Sequence, residues 1–367
     1  MFSARKMNDM RPRQQGLFTK PTLLVRFLPL LFLAGCSEKE PIQPKSLHTF
    51  EEDHMGTLFR IRTWAEDSEM EAATQAARAA FAEVHRLEMI FSDYQPDSEV
   101  ISLATLPADA PHPVSKELFE ILEIAVQLSS ETDGAFDVTV GPMIRLWRMS
   151  RKNHRMPTEE QMKAARERSG FQKLQLEPSG DGGAVIFTTE NMRLDFGGIV
   201  KGVAADAALE IMREAGFPQT VIAASGDIAV GDAPPGAKAW RVGIESLDVI
   251  EDPDRSYTGI ILLENAAVST SGDARRFFEL DGVRYSHIVD PVTALGLTER
   301  IGVTVVAPNA TDSDSLATAV SILGATDGLE FTELRKQVEC LIIRETESGE
   351  LERIESSGFG ALLAPEQ

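Results

Sequence analysis

The chain has 367 residues with 36 basic and 57 acidic side chains, a formal net charge of −21, and two cysteines. This acidity argues against a nucleic-acid-binding protein, and two cysteines cannot supply a disulfide framework. With 43% hydrophobic residues, the chain can build one large domain or two smaller lobes.

The first 35 residues have the pattern of an export signal. A basic region with six Lys or Arg and one acid precedes an apolar run over residues 27–33, which is too short to span a bilayer as a resident helix. The order Leu33-Ala34-Gly35-Cys36 resembles the cleavage box of bacterial lipoproteins. We therefore predict a signal peptide over residues 1–35 and a lipid on Cys36. An ordinary signal peptide with an incidental cysteine is the alternative.

Cleavage before Cys36 would leave 30 basic and 56 acidic residues, a net charge of −26. Cys340 would then have no partner within the chain, so stability must come from a core. Residues 36–48 are polar and predict a flexible tether, which leaves one folded domain over residues 49–367. The lipid predicts an anchored protein of the bacterial cell envelope that faces the periplasm, and Ser37 after the cysteine favours the outer membrane by resemblance to sorted lipoproteins.

Helical and extended patterns are mixed along the rest of the chain. Apolar residues recur every three to four positions and predict helices over residues 68–90, 115–128, 201–215 and 314–323, the last two ended by Gly216 and Gly324. Short β-branched runs predict strands at VIFTT, TVIAA, GIILL, VTVVAP and CLII. Strands and helices do not alternate regularly, so the predicted class is α+β, with two packed lobes and mixed or antiparallel sheets.

Residues 132–147, TDGAFDVTVGPMIRLW, carry an acid among apolar neighbours. Asp137 lies between Phe136 and Val138, where burial requires its carboxylate to accept hydrogen bonds. A ligand contact and a turn-capping role both fit this pattern.

Residues 193–208, RLDFGGIVKGVAADAA, predict a strand that ends at Asp195, a glycine turn, and a helix that starts near Lys201. Glycines allow close backbone approach, and a helix N-terminus attracts anions. Lys201 adds a full positive charge. The segment is therefore a candidate phosphate or pyrophosphate site, although it matches no standard nucleotide motif.

Residues 269–291 combine a Ser/Thr-rich loop with a hairpin that turns at Asp281-Gly282. The return strand leads through His287 to an Asp-Pro turn at Asp290. His287 is a candidate catalytic base or a structural histidine.

Residues 307–324 predict a helix that carries Asp314 and Thr318 four positions apart, so that both oxygens lie on one face. A carboxylate and a hydroxyl at this spacing suit Mg²⁺. The alternative is ordinary helix capping by Thr311 or Ser313.

Taken together and in order, these segments resemble the FAD:protein FMN transferase (ApbE) family over about residues 50–345. The motifs that carry the resemblance are MGT at 55–57, FSDYQPDSEVISLA, GAFDVTVGP with LW, DFGGIVKG with AD, TSGD with SHIVDP, and DSLATA. The resemblance implies an enzyme that binds FAD with Mg²⁺ and attaches FMN through a phosphoester to a Thr or Ser of an acceptor protein. The implied acceptors are membrane redox subunits of sodium-pumping quinone reductase or Rnf type.

The resemblance also implies roles for individual residues. Contacts with FAD are expected from Met55, Tyr94, Ala135, Phe136, Asp137, Asp195, Lys201 and Ile288. The Gly198 carbonyl, Asp314 and Thr318 are expected to coordinate Mg²⁺, while Lys201 and the ion neutralise the pyrophosphate. The general base for the acceptor hydroxyl is His287 or a nearby carboxylate, Asp273 or Asp290.

Three positions depart from the family pattern. Ser225 precedes Gly226 where paired glycines are common, Val292 replaces a basic residue, and Ala294 replaces a glycine. These changes are expected to alter the phosphate contacts and the rate.

Two other functions are consistent with the same residues. One is a metal-dependent FAD pyrophosphatase, which would use water as acceptor and release FMN and AMP. The other is a non-catalytic flavin-binding lipoprotein, which would have no need of the Asp314 and Thr318 pair.

Overall fold

The computed structural model describes residues 44–180, 182–247, 257–272 and 277–365. The predicted signal peptide, Cys36, Asp273 and most of the tether lie outside these residues. The described chain from residue 44 onward forms one compact unit. No helix in these ranges combines the length and the apolar character that crossing a bilayer requires.

The described residues form seven α-helices and seventeen strands. The helices are α1 (Met70–Phe91), α2 (Glu99–Leu103), α3 (Lys116–Glu131), α4 (Gly141–Asn153), α5 (Glu159–Glu167), α6 (Val200–Glu214) and α7 (Ala310–Glu333). The first nine strands are β1 (Ser46–His54), β2 (Thr57–Ala65), β3 (His112–Val114), β4 (Leu174–Ser179), β5 (Gly182–Phe187), β6 (Thr220–Ala224), β7 (Asp227–Val230), β8 (Trp240–Glu245) and β9 (Tyr257–Leu263). The remaining strands are β10 (Ala266–Gly272), β11 (Phe277–Leu280), β12 (Val283–Ser286), β13 (Val289–Asp290), β14 (Leu295–Gly296), β15 (Ile301–Ala307), β16 (Glu339–Glu345) and β17 (Leu351–Glu355).

The largest sheet has eight strands in the order β1-β2-β6-β7-β10-β15-β16-β17, and every neighbouring pair in it is antiparallel. Small two- and three-stranded antiparallel sheets accompany it. The α+β class with antiparallel sheets is therefore confirmed. β1 begins at Ser46, inside the predicted tether.

Both faces of the central strands are buried. Side chains alternate along a strand, so Ala267, Val305 and Ile342 point into the main core with α1, α6 and α7, whereas the adjacent Val268 and Val306 join a second core with β8 and β9. This two-sided burial explains the continuous apolar run in β15, where a half-exposed strand would show alternation.

Three predicted helices agree with the structure to within a few residues. The predictions 68–90, 115–128 and 201–215 correspond to α1, α3 and α6, and Gly216 has the positive φ of 91° that ends a helix. The predicted strand segments correspond to β5, β6, β9, β15 and β16. The hairpin turn at Asp281-Gly282 joins β11 to β12, with positive φ at both residues.

Helix α7 starts earlier than predicted and is capped differently. Asn309 accepts a hydrogen bond from the Asp312 N–H, so the cap is neither Thr311 nor Ser313. Asp206 on α6 accepts the N–H groups of Ala310 and Thr311, a contact that sequence spacing could not reveal. The helical φ/ψ angles are interrupted at Gly324, the predicted end, before a further helical segment continues to residue 333.

Two local predictions were wrong. Residues 193–195 form only an isolated bridge, between Arg193 and Val140, in place of a strand that ends at Asp195. The Ser/Thr-rich segment at residues 269–272 belongs to strand β10 in place of a loop. The segment after Asp137 leads into helix α4, where Pro142 stands in the first turn and favours helix initiation.

Candidate functional site

A cavity of about 1400 Å³ opens beside the central sheet. It exceeds the roughly 300–1,000 Å³ of ordinary small-molecule pockets. All of the predicted cofactor, catalytic and metal residues line it, namely Met55, Tyr94, Ala135, Phe136, Asp137, Asp195, Gly198, Lys201, His287, Ile288, Asp314 and Thr318. The fold thus brings together around one cavity residues that lie up to 263 positions apart in the sequence.

The N-terminal ends of α6 and α7 meet at the centre of this wall. A Cβ atom at Gly202 would lie 2.1 Å from the Ala310 carbonyl oxygen, so only glycine allows the two helices to approach this closely. The Gly202 N–H donates to Asp314 Oδ2 over 3.0 Å. Lys201 and Asp314 are held together by this contact.

Lys201 lies between two buried carboxylates. Its Nζ contacts Asp227 Oδ2 and lies 3.6 Å from Asp314 Oδ2. The pKa of Asp314 is raised to about 7, chiefly by burial and also by the charge of Asp227, while Lys201 lowers it. Two acids facing one lysine leave this cluster short of positive charge when both are ionised.

The predicted metal ligands come together around Thr318. Thr318 Oγ1 lies 3.3 Å from Ser271 Oγ, and a Cβ atom at position 198 would lie 2.9 Å from the same Thr318 oxygen. Asp314 is one helical turn away. The candidate ligand atoms are all oxygens, and Lys201 offsets only one of the two neighbouring carboxylates, so these residues fit a hard divalent cation such as Mg²⁺.

A second charged cluster surrounds the glycine turn. Asp195 Oδ2 accepts a hydrogen bond from Arg148 Nη2 over 2.9 Å, and Oδ1 accepts one from the Gly197 N–H. Arg148 also pairs with Asp93 and lies 4.4 Å from the centre of the Tyr94 ring. The pKa of Asp195 is raised to about 6, chiefly by burial and also by the charge of Asp93, while Arg148 opposes the shift.

Asp137 acts inside the protein as well as lining the cavity. Its Oδ1 accepts hydrogen bonds from the Thr139 N–H and hydroxyl, both over 2.7 Å, and its Oδ2 accepts one from the Phe171 N–H. These bonds match the turn-capping alternative, because they fix the loop that carries Ala135 and Phe136. Burial raises the pKa of Asp137.

Met55 and Gly56 form the turn between β1 and β2. Both residues have positive φ, 50° and 71°, as a two-residue hairpin turn of type I′ requires. The Met55 N–H donates to Glu88 Oε1 on α1 over 3.0 Å. This bond holds the turn against the cavity.

His287 and Ile288 follow β12 and face the cavity. Ile288 donates its N–H to Ser286 Oγ and accepts a bond from the Leu297 N–H, so its backbone is committed and its side chain forms the wall. Asp290 does not line the cavity. Its oxygens accept the Val292 N–H and the Thr293 hydroxyl, an arrangement that favours His287 over Asp290 as the general base.

The three departures from the family pattern have structural consequences other than those expected. Ser225 and Ala294 have positive φ, 61° and 62°, so glycine is the favoured residue at both positions for conformational reasons. Val292 is 79% exposed and lies outside the cavity. The absence of a basic side chain at position 292 therefore leaves the cations that line the cavity unchanged. These are Lys201, Arg60, Arg62, Arg148, Arg151 and Arg241.

Sequence reasoning missed four residues of the site. Asp227 follows the Ser225-Gly226 turn, and this position carried a usable signal because the turn had already been recognised. Ser271 lies in the Ser/Thr-rich segment, which forms the end of β10. Asp93 directly precedes Tyr94 in the quoted motif FSDYQPDSEVISLA, and Arg148 directly follows the quoted LW, but only the tertiary structure pairs Arg148 with Asp93 and Asp195.

Comparison with known proteins gives a consistent picture. The profile described as the ApbE family matches residues 55–342. A Vibrio cholerae protein named FAD:protein FMN transferase is 30% identical over 93% of this chain and 98% of its own length. Among solved structures, the flavin transferase ApbE from Vibrio cholerae has a TM-score of 0.74 and 27% identity, covering 87% of this chain and all of the other. The Pseudomonas stutzeri flavinyl transferase ApbE, apo form, has a TM-score of 0.75 and 26% identity over 89% of this chain and all of the other.

Proposed function

We propose that this chain moves FMN from FAD to a Thr or Ser hydroxyl of an acceptor protein, with Mg²⁺ bound and AMP released. The chain belongs to the ApbE family and is a flavin transferase with FAD as its substrate. One observation carries this proposal. Lys201, Asp314 and Thr318 lie together in a single large cavity with the glycine turn at Gly197-Gly198.

The proposed reaction exchanges the phosphoanhydride bond of FAD for a phosphoester bond to the acceptor. The acceptor oxygen forms a bond to the FMN phosphorus, the bond from that phosphorus to the bridging pyrophosphate oxygen breaks, and AMP leaves with that oxygen. The acceptor hydroxyl loses its proton. Negative charge on the phosphate oxygens resists this attack, so cationic groups must offset it.

Lys201 supplies a positive charge beside the proposed phosphate position, and Asp227 and Asp314 hold its ammonium group in place. Asp314, Thr318 and the Gly198 carbonyl would hold Mg²⁺. The ion would supply charge neutralisation at the phosphate oxygens. Arg148 and Tyr94 offer a guanidinium and an exposed ring at the cavity wall, a surface suited to the flat rings of FAD.

We propose His287 as the general base. It lines the same cavity as Lys201 and Asp314, whereas Asp290 is committed to its own turn. Asp273, the other candidate, lies outside the residues that the structure describes.

The proposed acceptors are membrane redox subunits of sodium-pumping quinone reductase or Rnf type, on the periplasmic side of a bacterial envelope. The sequence supports this location through the lipoprotein-like segment that ends at Cys36, which lies outside the described residues. A lipid on Cys36 would keep the enzyme at the membrane where such acceptors lie.

Incubating the full chain with FAD, Mg²⁺ and a soluble acceptor domain that carries a Thr site tests the proposal. We expect the intact mass of the acceptor to rise by one FMN phosphoester. Asp314→Asn should lower the rate by about 10²-fold or more, because loss of the ion removes several kcal/mol of charge stabilisation.

Asp312→Asn is the matched control, because Asp312 lies on the same helix but does not line the cavity. Equal loss in both variants would contradict the metal role of Asp314. Release of FMN and AMP without acceptor labelling would indicate the pyrophosphatase, and unchanged bound FAD would indicate a flavin-binding protein.

A further inference from the structure

We propose a second metal site, for a divalent cation of the Zn²⁺ type, formed by His54, His85 and Glu88. The site is separate from the Asp314 and Thr318 cluster and goes beyond the proposed transfer reaction. One ligand atom from each side chain can be chosen so that all three lie within 4.8 Å of one another. Among the residues that the structure describes, this is the one group of three or more His, Cys, Asp or Glu side chains whose ligand atoms come this close together.

The distances converge on one carboxylate oxygen. Glu88 Oε2 lies 3.8 Å from His54 Nδ1 and 3.8 Å from His85 Nδ1. Zinc bonds to nitrogen and oxygen of about 2.0–2.2 Å place tetrahedral ligand atoms about 3.4 Å apart. The observed separations therefore need only small side-chain adjustments to receive an ion, and His85 is exposed enough to make them.

Carboxylates flank both nitrogens of the His54 ring. Nε2 lies 3.3 Å from Glu52 Oε2, and Nδ1 lies 3.8 Å from Glu88 Oε2. A cation bound between Nδ1 and Glu88 would leave the Glu52 contact on the far side of the ring, where zinc-binding histidines commonly have an outer carboxylate.

The first two ligands are already held in position. The His54 ring stacks on Phe81 at 5.9 Å and meets the edge of Phe59 at 6.0 Å. Glu88 Oε1 accepts the Met55 N–H, which leaves Oε2 to face the histidines. Two imidazole nitrogens and one carboxylate oxygen favour zinc over magnesium, because Mg²⁺ prefers oxygen ligands.

An ion here would join two elements that shape the substrate cavity. His54 ends β1, whereas His85 and Glu88 lie on α1, and Met55 follows His54 directly. Met55, Gly56 and Glu88 all line the cavity. The metal would therefore fix the β1–β2 turn to α1 and stabilise that part of the wall.

The proposal is tested by titrating the metal-stripped full chain with Zn²⁺ in the presence of saturating Mg²⁺. Isothermal calorimetry measures the binding. Excess Mg²⁺ occupies the all-oxygen site, so zinc bound under these conditions reports the histidine site. We expect one Zn²⁺ per chain, and at least tenfold weaker binding in His85→Asn. Co²⁺ in place of Zn²⁺ should give a visible absorption band that the variant lacks.

The control is His154→Asn, which removes another exposed imidazole at a position with φ of 46°, where asparagine is tolerated. It should bind zinc as the unaltered chain does. No zinc binding in the unaltered chain, equal affinity in both variants, or binding abolished only by Asp314→Asn would each overturn the site. Flavin transfer is not a readout here, so the result is independent of the proposed function.

Discussion

The buried acids of the site are held in pairs around single cations. Lys201 contacts Asp227 and lies near Asp314, while Arg148 contacts Asp93 and Asp195. Each cation offsets part of the cost of burying two carboxylates, and the remainder appears as raised pKa values for Asp195 and Asp314. Perturbed carboxyl groups beside a cavity are typical of functional sites.

Replacement of His287 tests the general base at this scale. We expect His287→Asn to lower kcat for FMN transfer by about 10²–10⁴-fold, because the acceptor hydroxyl would lose its proton acceptor. The FAD dissociation constant, measured by flavin fluorescence, should change little. His154→Asn provides the matched control, and loss of FAD binding in His287→Asn would make His287 a substrate contact in place of the base.

Asp195 predicts a pH dependence of stability. Its pKa is about 6 in the folded protein and 3.8 as the ordinary value, so between these values the folded state binds more protons than the unfolded state. The free energy of unfolding contributed by Asp195 therefore falls as pH rises to about 6 and is constant above it, with a slope of at most about 1.4 kcal/mol per pH unit.

Denaturant unfolding of the unaltered chain and of Asp195→Asn at several values from pH 5 to pH 7.5 isolates this contribution. The free energy of unfolding of the unaltered chain should fall relative to that of Asp195→Asn as the pH rises to about 6. Above that pH the difference should be constant. A difference independent of pH would show that Asp195 is ionised throughout.

At the scale of elements, the site depends on tight turns and on close helix ends. The β1–β2 turn carries Met55, the β6–β7 turn precedes Asp227, and the α6 and α7 N-termini meet at Gly202. Short turns fix the positions of these residues more firmly than long loops would. One of them, the β6–β7 turn, has Ser225 at a positive φ of 61°.

Ser225→Gly should stabilise the protein. A left-handed conformation costs a non-glycine residue about 1–2 kcal/mol, and the extra entropy of glycine in the unfolded chain costs about 0.5–1 kcal/mol, so we expect a gain of up to about 1 kcal/mol. Chemical denaturation would measure it. The control is Ala82→Gly on the exposed face of α1, which should lower the free energy of unfolding by about 0.5–1 kcal/mol. A lower free energy of unfolding in Ser225→Gly as well would contradict the strain argument.

At the scale of the whole molecule, the cavity does not share the strong acidity of the chain. The chain carries a net charge of −21, whereas six cations and seven acids line the cavity. A pyrophosphate bound there would therefore need further positive charge, which is the role proposed for Mg²⁺.

The proposed membrane anchor also belongs to this scale. We expect the full chain, expressed in a bacterium with two membranes, to fractionate with membranes and to carry the mass of a lipid on its N-terminal cysteine. Cys36→Ser should abolish the lipid and release the protein from membranes. Cys340→Ala serves as the control because it leaves the export segment intact, and membrane retention of Cys36→Ser would contradict lipid anchoring.

The sequence alone determined the class and the family resemblance. Amphipathic spacing identified α1, α3 and α6, and β-branched runs identified five strands, because neighbouring residues carry the local burial pattern. The motifs singled out Lys201, Asp314 and Thr318, which line one cavity, while their roles stay predictions. The α+β class followed from the irregular order of these elements.

Only the tertiary structure decided which polar groups act on each other. Asp206 capping α7, Arg148 joining Asp93 to Asp195, and the metal-like arrangement of His54 with Glu88 all link residues distant in sequence. It also showed that Asp137 accepts hydrogen bonds from the Thr139 and Phe171 N–H groups and that Asp290 is not among the residues that line the cavity. Local spacing predicts elements because backbone periodicity is local, whereas hydrogen bonds and ion pairs depend on how the elements pack.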